Sequence, residues 1–524
     1  MTSQRDQYDA VVVGGGHNGL VAATMLARAG MSVVVLERLG QVGGAAVSAR
    51  AFTGHRARLS RYSYLVSLMP EQLVRELGLD LELVSRSTAS YTPTLRDGKP
   101  GGLLVERPEG RATAASFEAL TGGSEEYDAW QAFHADVASL AGAVAPTLLE
   151  PLPTERDVRA RVAPEVWSDL VATPLGDTLE KRFRDDTVRG IVATDGAVGT
   201  FTSMHDPALH QNRAFLYHSM GNGTGEWRVP VGGMGAVTTA LGRAAGNAGV
   251  EIVTNAGVSA IHAGDDGAEV VWHDGISSQT LRARHVLANV APWVLRILLG
   301  GPEEPETKPE GAQLKLNMLL SRLPRLRSGA DPQVAFAGTL HVAEELSRLE
   351  TAYAEAARGE IPSVVPGEIY CHSLTDPSIL DQHPEGQHTL TYFGVHLPAS
   401  LFAGPDREER KRLAVERALA AIDEHLAEPI ADCLARDAQG EPCLEAKIPQ
   451  DIEADLAMPG GHIYHGDLDW PWASNRARLD TPAQQWGVQT DVESVVVCGA
   501  GARRGGGVSG IGGHNAASAV LASR

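Results

Sequence analysis

A chain of 524 residues makes two to four domains at about 150 residues per domain, with ample material for a buried core, so a single small binding module is excluded. Lys and Arg number 45 against 65 Asp and Glu, a formal net charge of −20, which opposes binding to phosphate backbones, so nucleic acid is not expected as a partner. Hydrophobic residues at 43% and charged residues at 21% describe an ordinary globular protein rather than a disordered one. Cys371, Cys433, Cys443 and Cys498 stand far apart with no paired spacing, so neither a zinc knuckle nor a redox disulfide is written locally. The first ten residues show no basic flank before an apolar run, and no window reaches the roughly 18 apolar residues of a spanning helix. A cytoplasmic location is expected.

In chain order, Ala10 to Val13 is a short apolar run that stops at Gly14-Gly15-Gly16, the pattern of a buried parallel strand meeting a tight turn. A small-residue helix from Leu20 to Ala29 and a second buried strand from Ser32 to Leu36, closed by Glu37, complete a βαβ unit. Helical, charge-rich text follows over Glu125 to Ala143 and Glu155 to Arg184. After Gly232-Gly233-Met234-Gly235 come a helix (Ala236 to Ala248), strands at Val250 to Val253, Val258 to His262, Glu269 to Trp272 and His285 to Val290, and a Pro- and Glu-rich connection from Gly301 to Gly311. Beyond it lie a strand at Thr389 to Val395 and a helix at Arg407 to Leu426. The chain then closes on a strand at Ser494 to Cys498, eight glycines within Gly499 to Gly513, and a helix at Asn515 to Ala522. The expected class is α/β: a Rossmann-type dinucleotide domain of the glutathione-reductase kind, drawn from residues 1–70, 229–305 and 486–524, with an inserted α+β substrate domain from 71–228 and 306–485.

Gly14-x-Gly16-x-x-Gly19 falls between the first strand and its helix, where the glycines allow the turn, the approach of a diphosphate and close helix–strand packing, and the helix N-terminus supplies the anion site. Glu37 lies 23 positions after Gly14 and ends the second strand, where a carboxylate can accept from a ribose diol. Arg38 and the small residues Gly43-Gly44-Ala45-Ala46 let the chain run beside a second, bulkier half of the dinucleotide, which points to FAD rather than NAD. Gly499-Ala-Gly501-Ala-Arg503-Arg504 breaks the fingerprint at its last position, so an additional nicotinamide domain has no support.

These segments, with Tyr62-Ser63-Tyr64-Leu65-Val66-Ser67-Leu68, Gly225-Glu-Trp227, Gly460-Gly461-His462-Ile463-Tyr464-His465-Gly466 and Gly505-Gly506-Gly507-Val508-Ser509-Gly510, resemble the phytoene desaturase-like FAD-dependent oxidoreductases from end to end. Within them the chain looks most like the pyridine nucleotide-disulfide oxidoreductase domain-containing protein 2 branch, with bacterial carotenoid ketolases and desaturases further off. The resemblance implies non-covalent FAD, held by Gly14, Gly16 and Gly19 at the diphosphate, Glu37 and Arg38 on the adenosine side, Gly43 and Gly44 on the ribityl side and the Val258 backbone at the adenine. It also brings Gly499, Gly501, Gly506, Gly507, Val508 and Gly510 to the diphosphate, ribityl chain and flavin. Arg503-Arg504 stands where relatives carry a His-Pro-like pair, and would set cations beside the flavin or cap a phosphate. Without paired cysteines, disulfide chemistry is rejected.

For catalysis the candidates are His205, His218, Trp227 and His465, as bases, hydrogen-bond donors or aromatic wall of the pocket. No metal is expected, because His205, His210 and His218 do not share a helical face and His462 and His465 lie in a glycine loop. An amine-oxidase relationship would call for an aromatic cage, and no convincing aromatic pair stands out in a chain with 5% aromatic residues. The expected activity is hydride removal from an apolar, isoprenoid-, carotenoid- or lipid-like substrate, with oxygen or a quinone as electron acceptor. Two alternatives stay open: a reduced-flavin isomerase or hydratase of a polyene without net redox change, and a flavin-stabilised interaction protein without turnover. A peripheral membrane contact through Arg322-Leu-Pro-Arg325-Leu-Arg327 and a homo-oligomer stay open as well.

Overall fold

The structure is a computed structural model that describes residues 6–264, 266–381 and 386–524. Its first strand, Gln7–Val13, runs parallel to Val33–Glu37 on one side and to Ser278–Ala288 on the other. A strand flanked this way and covered by helices has no solvent face, which is why its last four residues are buried without alternation. Glu251–Thr254 extends the sheet beyond Val33–Glu37. The long strand Ser278–Ala288 pairs its first half antiparallel with Gly267–His273, which in turn pairs with Gly257–Gly264, and its second half parallel with Val495–Val497. The sheet thus draws its strands from three stretches far apart in the chain. Helices His17–Arg28, Ile511–Ala522 and Met234–Asn247 pack with it, and the first two touch so closely that a Cβ on Gly513 would stand 2.0 Å from the Asn18 carbonyl oxygen.

The second sheet is ordered Leu444–Lys447, Leu314–Leu320, His388–Gly394, Gly367–Tyr370, Thr339–Val342, Thr88–Arg96, Lys99–Glu106, and is antiparallel except where Thr339–Val342 meets Thr88–Arg96. Its register sets Lys315 opposite Phe393, Phe393 opposite Glu368 and Glu368 opposite His341. Directly opposed residues share a face, so these four form one row across four strands. The sheet has its own core, in which Leu316, Leu340, Tyr392 and Ile369 pack with Ala414, Ala418 and Ile422 of the helix Arg407–Asp423.

The sequence reading of a helical stretch over 155–184 is corrected to four pieces: Glu155–Arg159, Pro164–Trp167, a wider turn Ser168–Ala172, and Leu175–Arg182. Pro164 and Pro174 lack the N–H a continuing helix needs, and each stands where a new helix begins.

Two helical glycines are expected to respond oppositely to Ala. Gly142 has open space around a Cβ, so Gly142→Ala raises stability by about 0.5–1 kcal/mol by removing backbone freedom from the unfolded chain. Gly513→Ala forces the first and last helices apart and lowers the midpoint; thermal unfolding of both variants beside the parent checks the pair, and a Gly513→Ala midpoint at or above the parent's refutes it.

Candidate active site

A cavity of about 800 Å³ lies between the two sheets. At one end Gly14, Gly16 and Asn18 line it. Gly14 has φ +100°, and a Cβ there would meet the Asn289 carbonyl oxygen at 2.9 Å, so only glycine closes this turn. Gly19 stands behind it: a Cβ would lie 2.3 Å from the Gly14 carbonyl oxygen, which fixes how closely helix and strand pack. Gly16 is the N-cap of the helix and brings no side-chain cap, so the first-turn amides remain available to an anion. Asn18 is buried there with both its amide nitrogen and its oxygen unpartnered. Orphaned polar atoms at a helix N-terminus, in a turn that tolerates no Cβ, fit a phosphate-bearing ligand.

Glu37, 7% exposed, accepts the Gly15 N–H at 2.7 Å through one oxygen and the Leu39 N–H at 2.8 Å through the other. Each oxygen keeps a second lone pair, and the side chain is on the cavity wall. Val258, Ala256 and Gly257 line the wall with it, as does Arg38, whose guanidinium donates to the Asp455 carbonyl at 2.9 Å. Gly44 is on the wall, whereas Gly43 is behind it, bridged to Gly16 and donating its N–H to the Gly15 carbonyl at 2.9 Å. From the last segment, Ala500, Gly507 and Val508 reach the wall. His17, half-buried and held near pKa 4 by desolvation, donates its Nε2–H to the Gly507 carbonyl at 3.1 Å and ties that loop over the first helix. Gly499, Gly501, Gly506 and Gly510 serve the loop from behind: Gly499 packs on Asn289, Gly501 on Pro292 and His465, Gly506 on Leu468 and Tyr464, and Gly510 with φ +74° caps the final helix.

The reading of Arg503 and Arg504 as cations facing the cofactor is corrected. Arg503 donates to the Trp472 carbonyl at 2.7 Å and pairs with Asp469 at 3.2 Å; buried Arg504 donates to the carbonyls of Thr147 and Glu150 at 2.5 and 2.9 Å. These bonds pin the glycine loop to its neighbours, and neither arginine lines the cavity.

The other end of the cavity is walled by the second sheet and the helices over it. His218 and Trp227 are on this wall, stacked at 5.2 Å; the His218 Nδ1–H donates to the Ala214 carbonyl at 2.9 Å, and burial keeps the ring neutral. His465 is on the wall with Nδ1 unpartnered, pushed down to about 4 by desolvation. His205 is not: its Nδ1 hydrogen-bonds Asp177 at 2.6 Å on a helix outside the cavity, so the catalytic reading of His205 is replaced by a surface hydrogen bond. Arg322 and Arg325 both pair with Glu428, at 2.6 and 2.8 Å, and Arg327 donates to the Leu426 carbonyl, which uses up much of the charge of that basic piece. No helix among the described residues is long and apolar enough to cross a membrane.

Sequence reasoning missed the polar side chains on the second sheet. Lys315, 2% exposed in a strand buried along its whole length, donates to the carbonyls of Ser60, at 3.2 Å, and Tyr62, and lies 4.7 Å from the Tyr64 ring centroid. Desolvation holds it well below the usual lysine range, and even the neutral amine has two hydrogens for the two carbonyls. Tyr64 and Tyr370 do form an aromatic pair on the wall, centroids 4.6 Å apart and tilted by 35°, correcting the sequence reading that found none. They are joined only in the fold, from a loop and a strand some three hundred positions apart. Glu368 accepts from the Tyr370 hydroxyl, and His341 meets Glu344 at 2.5 Å through Nδ1. Asp195 is on the same wall and makes no hydrogen bond among the described residues; desolvation pushes it up to about 6. The signals available were Lys315 and Asn317 inside an apolar run and His341-x-x-Glu344 at the end of another.

A carboxyl raised on folding stabilises the native state only where it is protonated. For Asp195 this contribution is complete below about 4 and is lost as pH rises through about 6. Asp195→Asn is therefore expected to gain about 1–3 kcal/mol over the parent at pH 8 and nothing near pH 4. Denaturant unfolding at both values measures it; an equal effect at the two pH values refutes the assignment.

Residues 19–431 match the family described as flavin-containing amine oxidoreductases. An uncharacterized protein of Mycobacterium tuberculosis is 48% identical over all of this chain and 98% of its own. Pyridine nucleotide-disulfide oxidoreductase domain-containing protein 2 of Rattus norvegicus is 30% identical over 99% of this chain and 94% of its own. Among solved structures a putrescine oxidase aligns over 99% of both chains with TM-score 0.58 at 17% identity, a likeness of fold. The chain belongs to the flavin-containing amine oxidoreductases and is an FAD-dependent oxidoreductase.

Proposed function

We propose that the protein dehydrogenates an apolar, isoprenoid- or lipid-like substrate that carries one polar end. The observation behind this reading is the composition of one wall: Trp130, Val137, Ile191 and Phe215 stand on the same cavity as Asp195 and Glu368. Apolar surface positions the body of such a molecule by excluding water, and a few buried polar groups orient it. FAD supplies the two-electron acceptor, taking a hydride from the substrate when bound.

The chain's own contribution begins with the cofactor. Gly14, Gly16 and the first-turn amides would hold the diphosphate, with Asn18 completing its bonds; Glu37 would take the ribose diol, Arg38 would flank the adenosine and Val258 the adenine. Gly44, Gly507 and Val508 would close on the ribityl and flavin side. Gly19, Gly43, Gly499, Gly501, Gly506 and Gly510 would act by shaping those loops. Lys315 anchors Ser60 and Tyr62 and so fixes Tyr64, while Tyr64, Tyr370, His218, Trp227 and His465 would border the reacting atoms and keep water out. Oxygen or a quinone would return the reduced cofactor to its oxidised state. A second reading, in which the polar end is a protonated amine, is favoured by the unpaired Asp195 carboxylate and the Tyr64–Tyr370 pair.

Two measurements test this. Purified protein is expected to release near-stoichiometric FAD on heating, and Glu37→Ala to weaken retention by about 10- to 100-fold, the value of one to two hydrogen bonds to a charged group; unchanged retention would remove Glu37 from the site. Anaerobic bleaching with geraniol, dodecanol and dodecylamine then reads the substrate class. Bleaching by either alcohol supports the first reading, bleaching by dodecylamine alone supports the second, and no bleaching by any of them counts against dehydrogenation of this class.

A further inference from the structure

The row Lys315, Phe393, Glu368, His341 faces the cavity, and its acidic member is placed for chemistry rather than for packing. We propose that Glu368 accepts the proton that the substrate gives up on dehydrogenation, and that His341 and Glu344 form a buried relay behind it. The proposal rests on the dehydrogenase reading above. As hydride leaves one substrate atom, an X–H or C–H bond on the neighbouring atom breaks; its electron pair becomes the new double bond and its proton goes to the Glu368 carboxylate.

Four observations support this. Glu368 lies on the cavity wall, so a bound molecule can reach it, and Tyr370 orients it by donating its hydroxyl hydrogen. Behind it, donor atoms of His341, Glu344 and Glu368 all lie within 4.8 Å of one another. Glu344 is in turn held by the Thr194 hydroxyl at 2.6 Å, so the relay ends on a fixed group rather than in solvent. His341 makes its one hydrogen bond through Nδ1, which leaves Nε2 without a partner among the described residues to exchange a proton.

The charges around Glu368 explain its readiness. From the neighbouring strand and its end come His341 and Glu344, and from helix Asp186–Ala197 comes Asp195. Arg86, which donates to Thr339 at 3.1 Å and lies 5.7 Å from the Tyr370 ring centroid, is a cation that interacts with Glu368; Tyr64, Tyr464 and His218 also face it, and Lys315 stands in the same row. Buried Glu344 and Glu368 with half-buried Asp195 beside them cannot all ionise, so the cluster must share protons, and sharing is what a relay needs. Burial and the Glu344 charge push Glu368 up to about 7, where a base both accepts and releases a proton near neutrality.

Infrared difference spectra of FAD-loaded protein, titrated between about pH 5 and pH 9, read the carboxyl directly. The parent is expected to lose two carboxylic-acid bands in this range, Asp195 at about 6 and Glu368 at about 7; Glu368→Gln removes the upper one with FAD content unchanged, Asp195→Asn removes the lower, and Glu344→Gln moves the upper. With whichever of geraniol, dodecanol or dodecylamine bleaches fastest, the parent's rate rises with pH to a plateau. Glu368→Gln is slower by about 100-fold or more and flat with pH, and Glu368→Asp recovers part of the rate. Survival of the band that titrates at about 7 in Glu368→Gln, no such band in the parent, bleaching by Glu368→Gln at the parental rate, or a stoichiometric divalent metal lost with Glu368 would each overturn the relay. If none of the three compounds bleaches the flavin, the dehydrogenase reading fails, and the infrared band alone decides whether Glu368 holds the mobile proton.

Discussion

Asn289 fixes where three distant parts of the chain meet. Its backbone N–H continues the sheet by donating to the Val13 carbonyl at 2.9 Å, and its side-chain amide donates to the Gly14 carbonyl at 3.0 Å. Around it the first turn, the helix start and the last glycine loop come so close that Cβ atoms on Gly14, Gly19 and Gly499 would stand 2.9 to 3.1 Å from its atoms. The glycine fingerprint is thus a packing condition as much as a binding one. Remove the side chains from these positions and the carbonyl of one segment, the amide of the next and the backbone of the third can converge; the open amides at the helix start then have nowhere to point but the cavity. Three stretches far apart in the chain thus meet at one asparagine.

The second sheet answers a different constraint. Leu314–Leu320, Thr339–Val342 and Gly367–Tyr370 are buried along their lengths, yet carry Lys315, His341 and Glu368 on one face. Burying a charge costs far more than burying a methylene, and such groups persist only when paired, hydrogen-bonded or neutralised. Lys315 is met by two carbonyls and an aromatic face instead of a carboxylate, and the acids are met by a tyrosine hydroxyl, a threonine hydroxyl and an imidazole. The sheet therefore bears an electrostatic strain that a purely structural wall would have avoided by substituting apolar residues.

The dinucleotide half was legible in the sequence because its physics is local. A β-branched run, three glycines at fixed offsets and an acid 23 positions on from Gly14 all fall within one βαβ unit, and every one of those features reflects a steric or hydrogen-bonding need of its neighbours. What was not legible is the far wall. Tyr64 and Tyr370, or Asp195 and Glu368, become neighbours only through the pairing of strands and helices far apart in the chain, and no spacing encodes that. His205 misled for the same reason: clustering in sequence with His210 and His218 says nothing about which ring turns inward, and its aspartate partner comes from the helix Leu175–Arg182. The proline-broken stretch over 155–184 was misread because its charge pattern stays helical across breaks that Pro164 and Pro174 impose.

The two ends of the cavity divide their chemistry by titration. A dinucleotide diphosphate stays charged throughout the physiological range, so the groups that meet it should not change charge either. The near end obeys this, with backbone amides, the Asn18 amide and a His17 ring that burial keeps neutral. The acids of the far end are raised toward neutrality by burial and by one another. Sheet geometry makes this separation possible, since the row on the second sheet crosses four strands and gathers its charges without touching the glycine turn. A protein built this way can hold its cofactor at constant strength while the protonation of the opposite wall changes, so that pH governs the transfer of a proton and leaves the grip on the dinucleotide alone.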